Sequence, residues 1–148
     1  IVGVFSIYMV STGQRYLSLK TISPIQKALK IDWILSAGMF LFGVGFIIYG
    51  VLLLLSSNIF GIVLLVFGFI SISMVYQDFK NYIGRNSNKN FWLLVHIQRM
   101  MGSYIAAMTA FIVVNNTILP GIVAWLLPTV IVTPLIFKWS RKYKIQTK

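Results

Sequence analysis

Hydrophobic residues fall into five runs along the chain, at positions 1–10, 33–55, 59–76, 91–114 and 118–137. Each of the last four is about 18–24 residues long, and about 20 apolar residues of helix cross a hydrocarbon core of about 30 Å. The strands of a membrane β-barrel would instead show roughly ten-residue segments of alternating polarity. These runs do not alternate. The pattern predicts an all-α fold, a polytopic transmembrane helix bundle with four complete spanning helices plus a partial N-terminal one. Ten residues of helix rise only about 15 Å, so upstream sequence is expected to be missing before the first run. Residues 1–148 read as a single transmembrane domain with a basic tail at 138–148.

The connections between the runs alternate in charge. Residues 11–31 carry Arg15, Lys20, Lys27 and Lys30, and residues 77–90 carry Lys80, Arg85 and Lys89. The tail carries Lys138, Arg141, Lys142, Lys144 and Lys148, whereas 56–58 and 115–117 carry no charge. Basic loops stay on the cytoplasmic side, which predicts a cytoplasmic C-terminus. Tyr16, Trp33, Tyr76, Tyr82, Trp92, Trp139 and Tyr143 are expected at the same boundary, where an apolar ring with one polar end is at home. The short neutral turns make the second and third helices, and the fourth and fifth, antiparallel neighbours.

Composition agrees. The chain is 58% hydrophobic and 10% charged, against about 25% charged in a soluble domain. The mean hydropathy is +0.86. A soluble globular domain, a disordered tail and a disulfide-rich module are excluded. The net charge of +11 would suggest nucleic acid in a soluble protein. Here twelve of the thirteen cations lie in the three basic segments, so topology accounts for the charge and nucleic acid is not expected as a partner. A lipid bilayer with anionic head groups is. A membrane protein partner or a homo-oligomer stays open. With no cysteine and a single histidine, thiolate chemistry and a three-histidine metal site are excluded; no metal site is expected.

The fourth run holds the candidate chemistry. At 100° per residue, His96, Arg99, Ser103, Ala106 and Ala110 fall within about an 80° arc. Gly102, Ser103, Ala106 and Ala110 are expected to pack helices, because small residues let helices approach closely in lipid. Ionisable groups inside a membrane are costly and default to a functional reading. Asp32 opens the second helix and Asp78 closes the third, so Asp32, Asp78, His96 and Arg99 are expected to meet in one polar layer. That layer reads as a structural lock, with Arg99 paired to Asp78 or Asp32 and three helices held together, as a ligand or proton site, or as independent, solvated interfacial residues. His96 is either a hydrogen-bonded interfacial histidine or a cofactor-binding residue for haem b or a quinone. Gly38, Gly43, Gly45, Gly50, Gly61 and Gly68 predict close helix packing, and Pro120, Pro128 and Pro134 predict kinks in the fifth helix. Paired mid-depth aspartates, a nucleophile motif, two close histidines and an acidic ring are all missing from the sequence, which gives no catalytic residues to name and argues against intramembrane proteolysis and channel function.

One resemblance spans nearly the whole chain. Gly13–Gln14–Arg15 with Leu17 and Lys20, Asp32–Trp33, Phe67–Gly68, His96 with Arg99–Met100, Tyr104–Ile105–Ala106, Thr109–Ala110–Phe111, Val114–Asn115 and the run from Trp125 through Leu126, Leu127 and Pro128 to Thr129 carry it. With these residues the chain resembles an uncharacterised group of bacterial multi-pass inner-membrane proteins, a domain of unknown function. Gln14 departs from the aromatic residue expected there. The resemblance implies the bacterial inner membrane and further N-terminal helices, some with histidines, and it implies no established activity. The leading expectation is a non-enzymatic structural or accessory membrane component; a redox protein binding haem b or a quinone near His96, and a small-solute or proton transporter, are the alternatives.

Overall fold

A computed structural model describes residues 1–19, 28–83 and 90–145, with side chains described up to residue 141 of the last stretch. Lys20, Lys27, Arg85, Lys89 and Lys148, and the side chains of Lys142, Tyr143 and Lys144, lie outside the described residues. Five helices form among those described: α1 (Val2–Ser18), α2 (Lys30–Leu55), α3 (Gly61–Tyr82), α4 (Phe91–Asn115) and α5 (Gly121–Ile145). No strand occurs among them. Helices α2 to α5 are long and apolar enough to cross a membrane.

The boundaries differ from the sequence reading at both ends of the chain. Helix α1 does not stop at Val10 but runs on to Ser18. Its 17 residues rise about 26 Å, so most of what read as the start of a basic loop is helix. Ser11, Thr12, Gln14 and Arg15 lower the hydropathy without breaking the helix, because the backbone keeps its own hydrogen bonds whatever the side chains do. Similarly, α5 continues beyond Phe137 into the basic segment. Pro120 precedes α5 rather than lying inside it, while Pro128 and Pro134 are internal.

The helices close a ring. Helix α1 packs on α2, α2 on α3, α3 on α5, α5 on α4, and α4 back on α1. Tight turns join α2 to α3 and α4 to α5. In the first, Ser57 takes a left-handed backbone (φ 58°) and the Asn58 side-chain oxygen accepts from the Phe60 amide at 3.0 Å. In the second, the Asn116 side-chain oxygen accepts from the Leu119 amide at 2.8 Å.

Two seams hold neighbours close. Along α2 and α3, Gly43 lies against Gly68 and Gly50 against Gly61, backbone to backbone. A Cβ on Gly68 would sit 2.6 Å from Ile47 Cγ1 and 3.0 Å from the Gly43 carbonyl. Gly38 and Gly45 face open space instead, so the packing expected of all six glycines belongs to four. Along α1 and α4, Gly13 receives Met100 and Gly102 receives Met9, whose sulfur lies 2.6 Å from where a Gly102 Cβ would stand. Ala106 is buried with Gly102, whereas Ser103 and Ala110 are half-buried; Ser103 donates to the Met100 carbonyl of its own helix at 2.8 Å.

The ring is filled differently in its two halves. Toward the neutral turns the filling is apolar and aromatic, with Phe5 and Phe67 edge to face at 5.1 Å and Phe67 and Trp125 at 6.1 Å. Toward the basic end it is polar. The outer surface carries Phe40, Leu41, Phe42, Ile48, Phe69, Phe111 and Val130 exposed. Charge inside and hydrocarbon outside reverses the arrangement of a water-soluble protein and matches a lipid surround.

Candidate functional site: a buried ion pair inside the helix ring

Asp78 on α3 and Arg99 on α4 meet in the middle of the ring, with Arg99 Nη2 donating to Asp78 Oδ1 at 2.6 Å. Both side chains are buried, at 0% and 1% relative exposure. The backbones of α3 and α4 do not come close, so long side chains span the gap: Arg99 in this pair, and Gln77 Nε2 donating to Gln98 Oε1 at 3.3 Å. The same Nη2 donates to the Met74 carbonyl at 3.2 Å. The guanidinium carbon lies 4.8 Å over the Tyr8 ring, a cation–π contact from the α1 side.

Three hydroxyls complete the carboxylate. Tyr16 donates to Oδ1 at 2.8 Å, Ser36 donates to Oδ2 at 3.2 Å, and Tyr8 donates to Oδ2. A carboxylate offers about four lone-pair sites. Here four donors from α1, α2 and α4 fill them. Asn81, one turn further along α3, donates to the Tyr16 hydroxyl at 3.0 Å and so fixes the direction in which that hydroxyl gives its proton. One acidic residue thus ties four helices together.

The other two groups of the expected layer have other partners. Asp32 faces Arg15, which donates through Nε at 2.8 Å and Nη2 at 3.0 Å in a two-pronged pair. It also accepts from the Leu29 amide at 2.8 Å, capping α2 and satisfying one of the free amides at its start. His96 places Nδ1 2.7 Å from the Gly13 carbonyl. A carbonyl only accepts, so Nδ1 donates to it, which in the neutral ring leaves the lone pair on Nε2. The four residues therefore divide into a central pair, a second pair between α1 and α2, and a histidine that pins α4 to α1.

Tyr8, Tyr16, Ser36, Asn81 and Arg15 were not part of the expected site. Tyr16 is corrected most sharply: expected at the membrane boundary as an anchor, it is wholly buried. The available signal was the spacing of Phe5, Met9, Thr12 and Tyr16, which repeats in steps of four and three and marks one face of a helix.

Two polar atoms in this interior have no partner among the described residues, Arg99 Nη1 and Thr109 Oγ1. Thr12 and Ser71, by contrast, satisfy their hydroxyls on carbonyls of their own helices at 2.6 and 2.7 Å. Removing an unpaired buried hydroxyl while keeping the shape recovers its desolvation cost. Thr109→Val is accordingly expected to leave stability unchanged or raise it by up to about 1 kcal/mol, read as the midpoint of detergent denaturation. A loss of more than that amount would mean the hydroxyl is bonded in the membrane.

No group of three or more His, Cys, Asp or Glu residues suited to one metal ion gathers among the described residues. No protein-family model, no curated protein and no solved structure matches this chain.

Proposed function

We propose that this protein is a non-enzymatic structural or accessory component of the bacterial inner membrane, spanning it several times with its basic end in the cytoplasm. The observation that carries the reading is the saturated carboxylate. A proton carrier needs an acid that can release a donor and take up a proton, and a site for a cationic or hydrogen-bond-donating ligand needs a carboxylate with an unused lone pair. Asp78 has neither, because Arg99, Tyr8, Tyr16 and Ser36 occupy its oxygens. Such a pair contributes little net stability against an apolar core and much to fixing which helices meet. The polar interior is a lock.

Purified protein in vesicles is expected to conduct protons and small solutes no faster than protein-free vesicles. A flux that disappears in Asp78→Asn, with the bundle intact by size exclusion, would replace the lock with a transport site. The orientation is checked with single cysteines, since the chain has none of its own. In intact cells, after passage through the outer membrane, a maleimide is expected to label Ser57→Cys. Lys80→Cys is expected to react only once the inner membrane is opened. The opposite pattern reverses the topology.

A second reading has one observation in its favour. Because Nδ1 of His96 is spent on the Gly13 carbonyl, Nε2 is the nitrogen without a partner among the described residues, the arrangement in which a backbone carbonyl orients a histidine for a haem iron or a quinone oxygen. Oxidised and dithionite-reduced visible spectra of protein expressed with ample haem decide the haem form. A Soret band lost in His96→Ala supports it, and a flat spectrum removes it.

A further inference from the structure

We infer that the outer groove between α2 and α3 is a specific site for an anionic phospholipid, with one acyl chain in the groove and the phosphate between Lys30 and Lys80. The groove encloses about 380 Å³. Trp33, Ala37 and Phe40 of α2 form one wall, and Ile72, Tyr76 and Phe79 of α3 form the other. Its surface is almost wholly apolar: the one serine on it, Ser36, turns its hydroxyl inward to Asp78. An aliphatic chain is what such walls accept.

The head-group end is set by charge. Lys30, Trp33, Ala37 and Phe40 recur at the three- and four-residue steps of one helical stripe, as do Ile72, Tyr76 and Lys80 on α3. The antiparallel pairing of α2 and α3 brings the start of one stripe to the end of the other, so Lys30 lies about a turn before Trp33 and Lys80 falls between Phe79 and Tyr82, both at the same end of the groove. Both are exposed, and neither has an ion-pair partner among the described residues. The nearby acid on α2, Asp32, is already neutralised by Arg15. The acid on α3, Asp78, is sealed inside with Arg99. The groove therefore ends at two uncompensated cations beside the amphipathic rings of Trp33, Tyr76 and Tyr82, the level at which a phosphate sits. Cationic recesses between membrane helices recognise acidic head groups. The occupant is a lipid of the surrounding leaflet, and the site goes beyond the proposed lock, which it neither needs nor alters.

The test uses the whole chain, delipidated in a neutral detergent and titrated with phosphatidylglycerol or phosphatidylcholine, with bound lipids counted by native mass spectrometry. The first phosphatidylglycerol is expected to bind more tightly than the first phosphatidylcholine. Each lysine is worth about fivefold, so the double variant Lys30→Gln/Lys80→Gln is expected to weaken that first adduct by about 25-fold and to leave phosphatidylcholine unchanged. Ala37→Phe, which fills the groove, is expected to weaken both. The double variant Lys138→Gln/Arg141→Gln on α5 is the control and is expected to bind as wild type. Equal affinity for the two lipids, an unchanged first adduct in Lys30→Gln/Lys80→Gln, or its loss in the α5 control would each overturn the assignment. The lysine variant changes only exposed side chains, so its result does not depend on whether Ala37→Phe folds.

Discussion

Asp78→Ala is expected to cost the bundle about 3–5 kcal/mol, the range for breaking one partner out of a buried ion pair. The loss exceeds that of the missing contact because Arg99 stays behind. Its guanidinium would then be buried with one carbonyl and the face of Tyr8, and the hydroxyls of Tyr8, Tyr16 and Ser36 would lose their acceptor. The measurement is a denaturation curve in mixed detergent micelles, followed by helix signal and by size exclusion. Combining Asp78→Asn with Arg99→Met is expected to restore part of the loss, because the uncompensated charge is gone and the amide oxygen still accepts from a tyrosine. A single variant within about 1 kcal/mol of wild type would mean that water reaches the pair and that the interior is not sealed.

Gly61→Leu is the second large effect, acting through shape rather than charge. Its new Cβ would press on the Gly50 carbonyl, on Leu54 Cγ at 2.8 Å and on the Leu54 amide at 3.1 Å. Two of those neighbours are backbone, which cannot rotate away as a flexible side chain can. The two helices must separate along the seam, at a cost of about 1–3 kcal/mol or more for an overpacked contact. Gly45→Leu is the matched control. Nothing lies within 4 Å of its Cβ position, and it is expected to stay within about 0.5 kcal/mol of wild type. Equal losses in the two variants would show that backbone flexibility, not the close approach of α2 to α3, accounts for the glycines. The Met9 sulfur opposite Gly102 makes that position more forgiving, since a thioether can adopt another rotamer.

The bundle was legible because lipid imposes one constraint over a long stretch: about 20 apolar residues in a row have few other uses. Helix α1 was not, because the hydropathy run breaks at Ser11 while the helix does not. The residues that lower its hydropathy are not the ones that reach Asp78: Thr12 bonds its own helix, Gln14 is exposed and Arg15 pairs with Asp32, while the donors to Asp78 are Tyr8 and Tyr16. Asp78 and Arg99 stood out through rarity, as two of the few ionisable groups near apolar runs. Which aspartate Arg99 takes did not, since Asp32 and Asp78 are expected at the same end of the bundle and Arg15 was not counted as a partner for either. Arg15 read as a loop cation and left Asp32 to be assigned to the wrong group. Among the glycines, composition does not separate Gly43 from Gly45. The seven-residue interval shared by Gly43 and Gly50 and by Gly61 and Gly68 does, because it returns to one face after two turns.

The ring order also sets a timetable for biosynthesis. Tyr16 precedes Asp78 by 62 positions and Asp78 precedes Arg99 by 21. At roughly 5–20 residues per second, the hydroxyls of α1 and α2 are made several seconds before the acid that needs them, and the cation follows about 1–4 s after that acid. A nascent chain with three helices inserted thus holds a carboxylate served only by hydroxyl groups, and α1 has an unfilled flank until α4 arrives beside it. The fourth helix supplies the charge that neutralises the centre and the small-residue face that packs on α1, and the fifth, lying between α3 and α4, shuts the ring.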